Sequence, residues 1–141
     1  MDRGSNTAGV AQLRLVVEAH DFEAAVAFYS GVLGMPIEFA VDSEGGASVV
    51  ALQAGRATLE IINPAQRRLI DDFEVGRQVS REIRVAFEVT DAEAVTTRLI
   101  ESGAQLVAPP TETPWRSLNS RLEAPAGLQI TLFEELDPPK V

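Results

Sequence analysis

The sequence repeats itself once, and that repeat limits what the chain can fold into. The stretch Leu13-Arg14-Leu15-Val16-Val17-Glu18-Ala19-His20-Asp21-Phe22-Glu23-Ala24 returns seventy positions later as Ile83-Arg84-Val85-Ala86-Phe87-Glu88-Val89-Thr90-Asp91-Ala92-Glu93-Ala94. Arg14 matches Arg84, Glu18 matches Glu88, Asp21 matches Asp91 and Glu23 matches Glu93, while apolar residues stand opposite apolar residues. An internal repeat marks a fold assembled from like supersecondary units. Here it divides the chain into two similar halves.

In the first half, Leu13 to Glu18 has strand character, with charges only at the alternate positions Arg14 and Glu18. Asp21 is suited to cap a helix, and Glu23 lies in its first turn. Phe22, Ala25, Val26, Tyr29, Val32 and Leu33 follow helical spacing. Gly34 ends that helix and Pro36 prevents its continuation. Strands are expected at Ile37 to Val41, Ser48 to Gln53 and Arg56 to Ile62, with turns at Asp42 to Gly46 and at Ala54-Gly55. The order is β-α-β-β-β. Asn63-Pro64 then breaks the pattern, and residues 64–82 read as a charged connection with a short helix over Ala65 to Asp72.

The second half repeats the order. Ile83 to Val89 is a strand, Asp91 caps a helix to Ser102, and Gly103 ends it. Gln105 to Val107 begins a strand, followed by an extended loop in which Pro109, Pro110 and Pro114 present Trp115 and Arg116. Asn119 to Leu122 and Leu128 to Glu134 are the last strands, joined by a turn at Pro125-Ala126-Gly127. Residues 1–9 and Asp137-Pro138-Pro139 read as tails. The expected organisation is one α+β domain: an N-terminal βαβββ module at 10–63, a linker at 64–82 and a C-terminal βαβββ module at 83–135.

Composition narrows the partners. A chain of 141 residues, 45% hydrophobic, can bury a core. A net charge of −9 argues against nucleic acid and against an anionic membrane surface. The lack of cysteine excludes disulfides, thiolate metal sites and cysteine nucleophiles. No apolar run approaches the length of a membrane span, and Met1 to Gly9 lacks the apolar centre of a signal peptide, so a cytoplasmic protein is expected. There is no nucleophile elbow and no P-loop; Gly45-Gly46 is a hairpin turn.

With this order of elements the chain resembles the vicinal oxygen chelate superfamily, which includes the glyoxalase I, bleomycin-resistance and extradiol-dioxygenase families. The resemblance runs from Gln12 to Glu135. It rests on the strand-Asp-helix unit ending in Phe28-Tyr29-Ser30-Gly31-Val32-Leu33-Gly34, close to the family's FYxxxLG signature. It rests also on Leu59-Glu60-Ile61, on Ile83 to Asp91, and on Pro125-Ala126-Gly127 before a terminal apolar strand. The resemblance implies two curled antiparallel sheets that form a cup for a ligand. One fold hosts many chemistries, so it does not by itself give the function.

Metal-dependent members draw one ligand from the first and one from the last strand of each module. Aligned on Asp21 and Asp91, these positions are Arg14, Glu60, Arg84 and Thr131. Arginine has no lone pair to donate and stays protonated, so only Glu60 keeps a ligand type. The expectation is a metal-free member without a cofactor. The lone His20, at the strand-to-helix corner, reads as an exposed turn residue. Two roles are open for Arg14, Glu60 and Arg84. Glu60 pairs with the arginines and fills the vacated metal site, or an arginine binds a carboxylate, phosphate or carbonyl of a ligand. Trp115 can stack on a planar ligand, with Arg116 adding a charge and Phe39 and Phe73 weaker candidates of the same kind. Phe28, Phe87 and Phe133 sit inside periodic apolar elements and are expected in the core. Glu18 and Glu88 read as solvated or arginine-paired.

Three functions follow. The first is a homodimeric binding protein of the bleomycin-resistance type that sequesters an antibiotic or metabolite. The acidic surface suits a cationic ligand and the arginines an anionic one, which leaves the ligand unnamed. The second is an enzyme: a metal-dependent lyase or dioxygenase, or a metal-free isomerase, cyclase or hydrolase with Glu60 as base. The third is a domain whose cup has closed on its own side chains.

Overall fold

The computed structural model of the chain describes residues 12, 14–58 and 60–137. From the N-terminus it runs through α1 (Phe22–Val26), which continues as a π-helical segment over Ala27–Val32, then β1 (Ile37–Asp42) and β2 (Ser48–Leu52). Next come α2 (Pro64–Glu74), β3 (Val85–Glu88), α3 (Ala92–Glu101), β4 (Gln105–Glu112), β5 (Ser117–Ala124) and β6 (Leu128–Glu135).

The repeated aspartates do the same local work twice. The Asp21 carboxylate accepts a hydrogen bond from the Ala24 amide at 3.1 Å, and Asp91 accepts one from Ala94 at 3.0 Å. Each satisfies one of the amide groups that a helix start leaves without a partner.

The last four strands form one sheet in the order β3-β6-β5-β4, with β3 parallel to β6 and the other pairs antiparallel. Strand period two gives this sheet two different faces. Leu122, Ile130 and Leu132 point to one side and are fully buried against Val95 and Leu99 of α3. Burial of each such side chain contributes about 1.5–3 kcal/mol. Phe28 and Tyr29, from the N-terminal helix, complete the same cluster with their rings edge to face. Tyr29 Oη donates to the Pro125 carbonyl at 2.7 Å, and burial pushes its phenol pKa up. The other face carries Ser117, Asn119 and Arg121 on β5 and Gln129, Thr131 and Phe133 on β6, and α2 crosses it.

Several expectations are corrected. Neither 14–18 nor the described part of 56–62 forms a strand; Leu13 and Leu59 lie outside the described residues. The residues have strand propensity but no ladder and no cover: Val16 is 87% exposed and Ile61 84%. Propensity yields a strand only when a partner satisfies the backbone and packs the side chains. The first half thus shows an isolated β1–β2 hairpin. The connection holds a longer helix than expected, because Asn63 caps it through the Gln66 amide at 2.9 Å and Pro64 begins it. The expected proline loop is partly strand. β4 is an edge strand, where proline is tolerated, and its register slips on either side of Ala108, around Pro109-Pro110. Among the described residues, no helix is long and apolar enough to cross a membrane.

Candidate functional site

A cleft of about 320 Å³ lies between α2 and the polar face of the main sheet. Gln66, Ile70 and Glu74, spaced one helical turn apart, line it from α2. From the sheet it receives alternate residues: Arg84 and Ala86 at β3, Ser117 and Asn119 from β5, Thr131 and Phe133 from β6. Burial separates floor from rim. Glu74, Asn119 and Thr131 are buried and Arg84 half-buried, whereas Glu60, Trp115 and Glu135 are exposed at the mouth.

The floor is built on Arg121, which is fully buried. Its guanidinium donates to Asp71 Oδ1 at 3.1 Å, Ser80 Oγ at 2.9 Å, Gln129 Oε1 at 2.9 Å and Glu74 Oε1 at 2.6 Å. Asp71 also accepts the Val79 and Ser80 amides, each at 2.8 Å, and the Ser80 hydroxyl. Burial pushes the Asp71 carboxyl up, but the hydrogen bonds from Ser80, Val79 and Arg121 outweigh it and hold it below the usual carboxylate range. Glu74 takes a second hydrogen bond, from Asn119 Nδ2 at 2.7 Å. That bond fixes the amide's orientation and leaves Asn119 Oδ1, beside the cleft, with no hydrogen-bond partner among the described residues.

Arg84 stands next to this cluster. Its Nη1 donates to Thr131 Oγ1 at 2.6 Å. Among the described residues no carboxylate lies within ion-pair distance of it. Burial lowers its pKa from the ordinary arginine value, and the neighbouring positive charge of Arg121 lowers it further; Glu74, Asp71 and Glu60 oppose the shift from longer range. A guanidinium has five donor hydrogens, and one hydroxyl does not use them up.

The structure therefore brings together Glu60, Arg84, Trp115 and Thr131 of the expected set. Trp115 packs edge-on against Phe73 of α2, ring centroids 5.9 Å apart, and ties the β4–β5 turn to the helix. Arg14 and Phe39 lie away from the cleft, stacked on each other with the guanidinium 5.3 Å from the ring centroid. Arg116, in a left-handed backbone conformation, pairs with Glu112 and Asp137 instead of lining the cleft. Phe133, expected in the core, lines the cleft, because it shares a strand face with Thr131. Sequence reasoning missed Asp71, Glu74, Asn119 and Arg121. Their signal was the polar series Ser117, Asn119, Arg121 at period two on β5, facing carboxylates three residues apart on a helix.

The sequence matches the family described as glyoxalase-like domain over residues 14–133. The chain belongs to the glyoxalase-like domain family. Among solved structures, one of a glyoxalase/bleomycin resistance protein/dioxygenase superfamily member from Sphaerobacter thermophilus superposes with a TM-score of 0.56 at 22% identity, covering 89% of this chain and 98% of that one. A glyoxalase-related enzyme from Fulvimarina pelagi gives 0.55 at 19% identity, with 89% of each chain covered. A hypothetical protein from S. aureus gives 0.58 at 15% identity, covering 89% and 94%. These likenesses establish the glyoxalase-type fold. No curated protein matched the sequence significantly.

In a glyoxalase-like chain, the residues at the superfamily's metal-ligand positions here do not fit a divalent ion. Arg84 points a cation at Thr131, Arg14 lies on the hairpin, and Glu60 is the one carboxylate of the four. Among the described residues, no group of three or more histidine, cysteine, aspartate or glutamate side chains is placed to hold a metal ion.

Proposed function

We propose that this chain is a metal-free small-molecule binding protein and that Arg84 anchors an anionic or strongly hydrogen-bond-accepting group of its ligand. The observation that carries this is the Arg84 guanidinium on the floor of an open cleft, bonded to Thr131 and without a carboxylate partner among the described residues. A desolvated cation gains most from a planar acceptor that uses several donors at once. Glu60, which the sequence alone offered as its partner, is exposed at the rim, and the buried carboxylates Asp71 and Glu74 belong to Arg121. As a base, Glu60 would act at the rim in contact with bulk water rather than inside the cleft. Binding without turnover is therefore preferred to catalysis. A cleft of about 320 Å³ speaks against a cup filled by its own side chains.

The same proposal includes a homodimer. Leu15, Val16, Val17, Ile61 and Ile62 are exposed beside a hairpin whose Ile37, Phe39, Val41 and Val49 are exposed too. Exposed apolar residues in this number support an interaction site, and a second copy offers an identical set to cover them.

Native mass spectrometry with and without added zinc, nickel or manganese tests both parts. The expected result is a dimer that takes up no stoichiometric metal and retains organic ligand. A tightly held metal ion would overturn the assignment of Arg84 and Arg14 to the ligand positions and move metal-dependent catalysis to first place.

A further inference from the structure

Charge is arranged along the depth of the cleft. Its floor holds the Arg84 guanidinium, bonded among the described residues only to Thr131, while two exposed carboxylates, Glu60 and Glu135, line the mouth. Buried Asn119 also lines the cleft and keeps an acceptor oxygen without a donor among the described residues, and the exposed Trp115 ring borders the mouth. A simple anion suits the floor but meets two negative charges on entry. A simple cation suits the mouth but is repelled at the floor. The two requirements are met together by a molecule with an anionic end and a cationic end separated by an apolar body.

Building on the proposed binding function, we infer that the ligand is a zwitterion: a carboxylate held by Arg84 on the floor, a planar body against Trp115, and an ammonium or similar N–H-rich cation at Glu60 and Glu135. The −9 net charge and the half-buried Arg84 then no longer conflict. The acidic exterior draws the cationic end to the mouth, and the arginine selects the other end. A hydroxyl or amide N–H on the body would give Asn119 Oδ1 the donor it lacks, and buried acceptors left unpaired weaken whatever state contains them.

Three probes of nearly equal shape separate the contributions: 4-(aminomethyl)benzoate, 4-methylbenzoate and 4-methylbenzylamine, titrated calorimetrically into the full chain at low and high salt. The expected order of affinity is zwitterion, then carboxylate, then amine. The zwitterion should bind about threefold to tenfold tighter than the carboxylate at low salt, an advantage that shrinks as salt rises. Arg84→Gln should weaken both carboxylates by about tenfold to a hundredfold. The Glu60→Gln/Glu135→Gln double variant, altered only at exposed positions, should bind 4-methylbenzoate at least as well as the parent and lose the zwitterion's advantage. Equal binding of zwitterion and carboxylate, or an advantage that survives the double variant, overturns the zwitterion inference and leaves the anion site standing. Binding of no probe, or carboxylate binding indifferent to Arg84→Gln, overturns the underlying binding proposal as well.

Discussion

Replacing Arg121 with methionine tests the cluster that holds α2 on the sheet. Methionine keeps much of the side-chain volume and removes the charge. Asp71 and Glu74 are then left as buried carboxylates, 0% and 4% exposed, without their cation. Ser80 and the Val79 and Ser80 amides still serve Asp71, and Asn119 still serves Glu74. The charge itself is uncompensated except by Arg84 at longer range. Breaking one buried pair by removing a single partner costs about 3–5 kcal/mol. A domain of this size has about 5–15 kcal/mol in total. With a urea slope of about 1–3 kcal/mol per molar, the midpoint should fall by roughly 2 M. Urea unfolding followed by Trp115 fluorescence reads this directly, since the ring packs on Phe73 of α2. Protonating the stranded carboxylates relieves the penalty, so the deficit should shrink as the pH is lowered from 7.5 towards 5. The triple variant Arg121→Met/Asp71→Asn/Glu74→Gln should recover most of the loss at pH 7.5. A loss below about 1 kcal/mol, the worth of an exposed pair, or one equal at both pH values, would refute the claim that buried ionic contacts hold this helix.

Arg84→Met should leave stability unchanged or raise it slightly, because it removes a desolvated cation whose pKa burial already lowers, while it abolishes anion binding; thermal melts and titration together check this. Asp71 is held below the usual carboxylate range, so it stabilises the fold above about pH 3.9, its unfolded value, and that contribution is lost as the pH falls through the lower folded value; Asp71→Asn should flatten this acid limb in a denaturant-midpoint series. Tyr29→Phe removes the hydrogen bond to the Pro125 carbonyl and should cost about 1 kcal/mol in chemical denaturation, with the edge-to-face contact to Phe28 retained. Dialysis against a chelator should change neither the melting temperature nor probe binding, as measured by calorimetry.

The repeat made the second half legible. Strand, Asp91 cap, helix and three further strands fall where the periodicity puts them, because each element there finds its partner within the chain. The first half carries the same signals at Leu15 to Val17 and at Ile61-Ile62, yet no strand forms in the described residues there. Sequence pattern records what a segment can pair with, not whether the partner is present. Arg84, expected from the repeat, and Glu60 and Thr131, expected from the resemblance, line one cleft. The site was hidden where the contacts are long-range. Nothing in Asp71 or Glu74 alone announces an arginine 50 or 47 positions away. A charged linker and a polar strand each look solvated until the fold buries one against the other. Arg14 was misplaced for the converse reason: identical position in the repeat did not mean identical surroundings, and it rests on Phe39 instead.

Helix α2 lies outside both copies of the repeat, and it divides its labour between positions. Gln66 and Ile70 face the cavity, Asp71 plugs into the arginine socket beneath, and Glu74 borders the cavity while bound into that socket. Anchorage and cavity lining thereby fall largely to different side chains of one short segment. Under the proposed binding function, changes at residues 66 and 70 would alter the cavity wall and leave the helix's seat untouched. A duplicated fold fixes its two halves by their mutual likeness; here the interposed piece is the part left free to diversify.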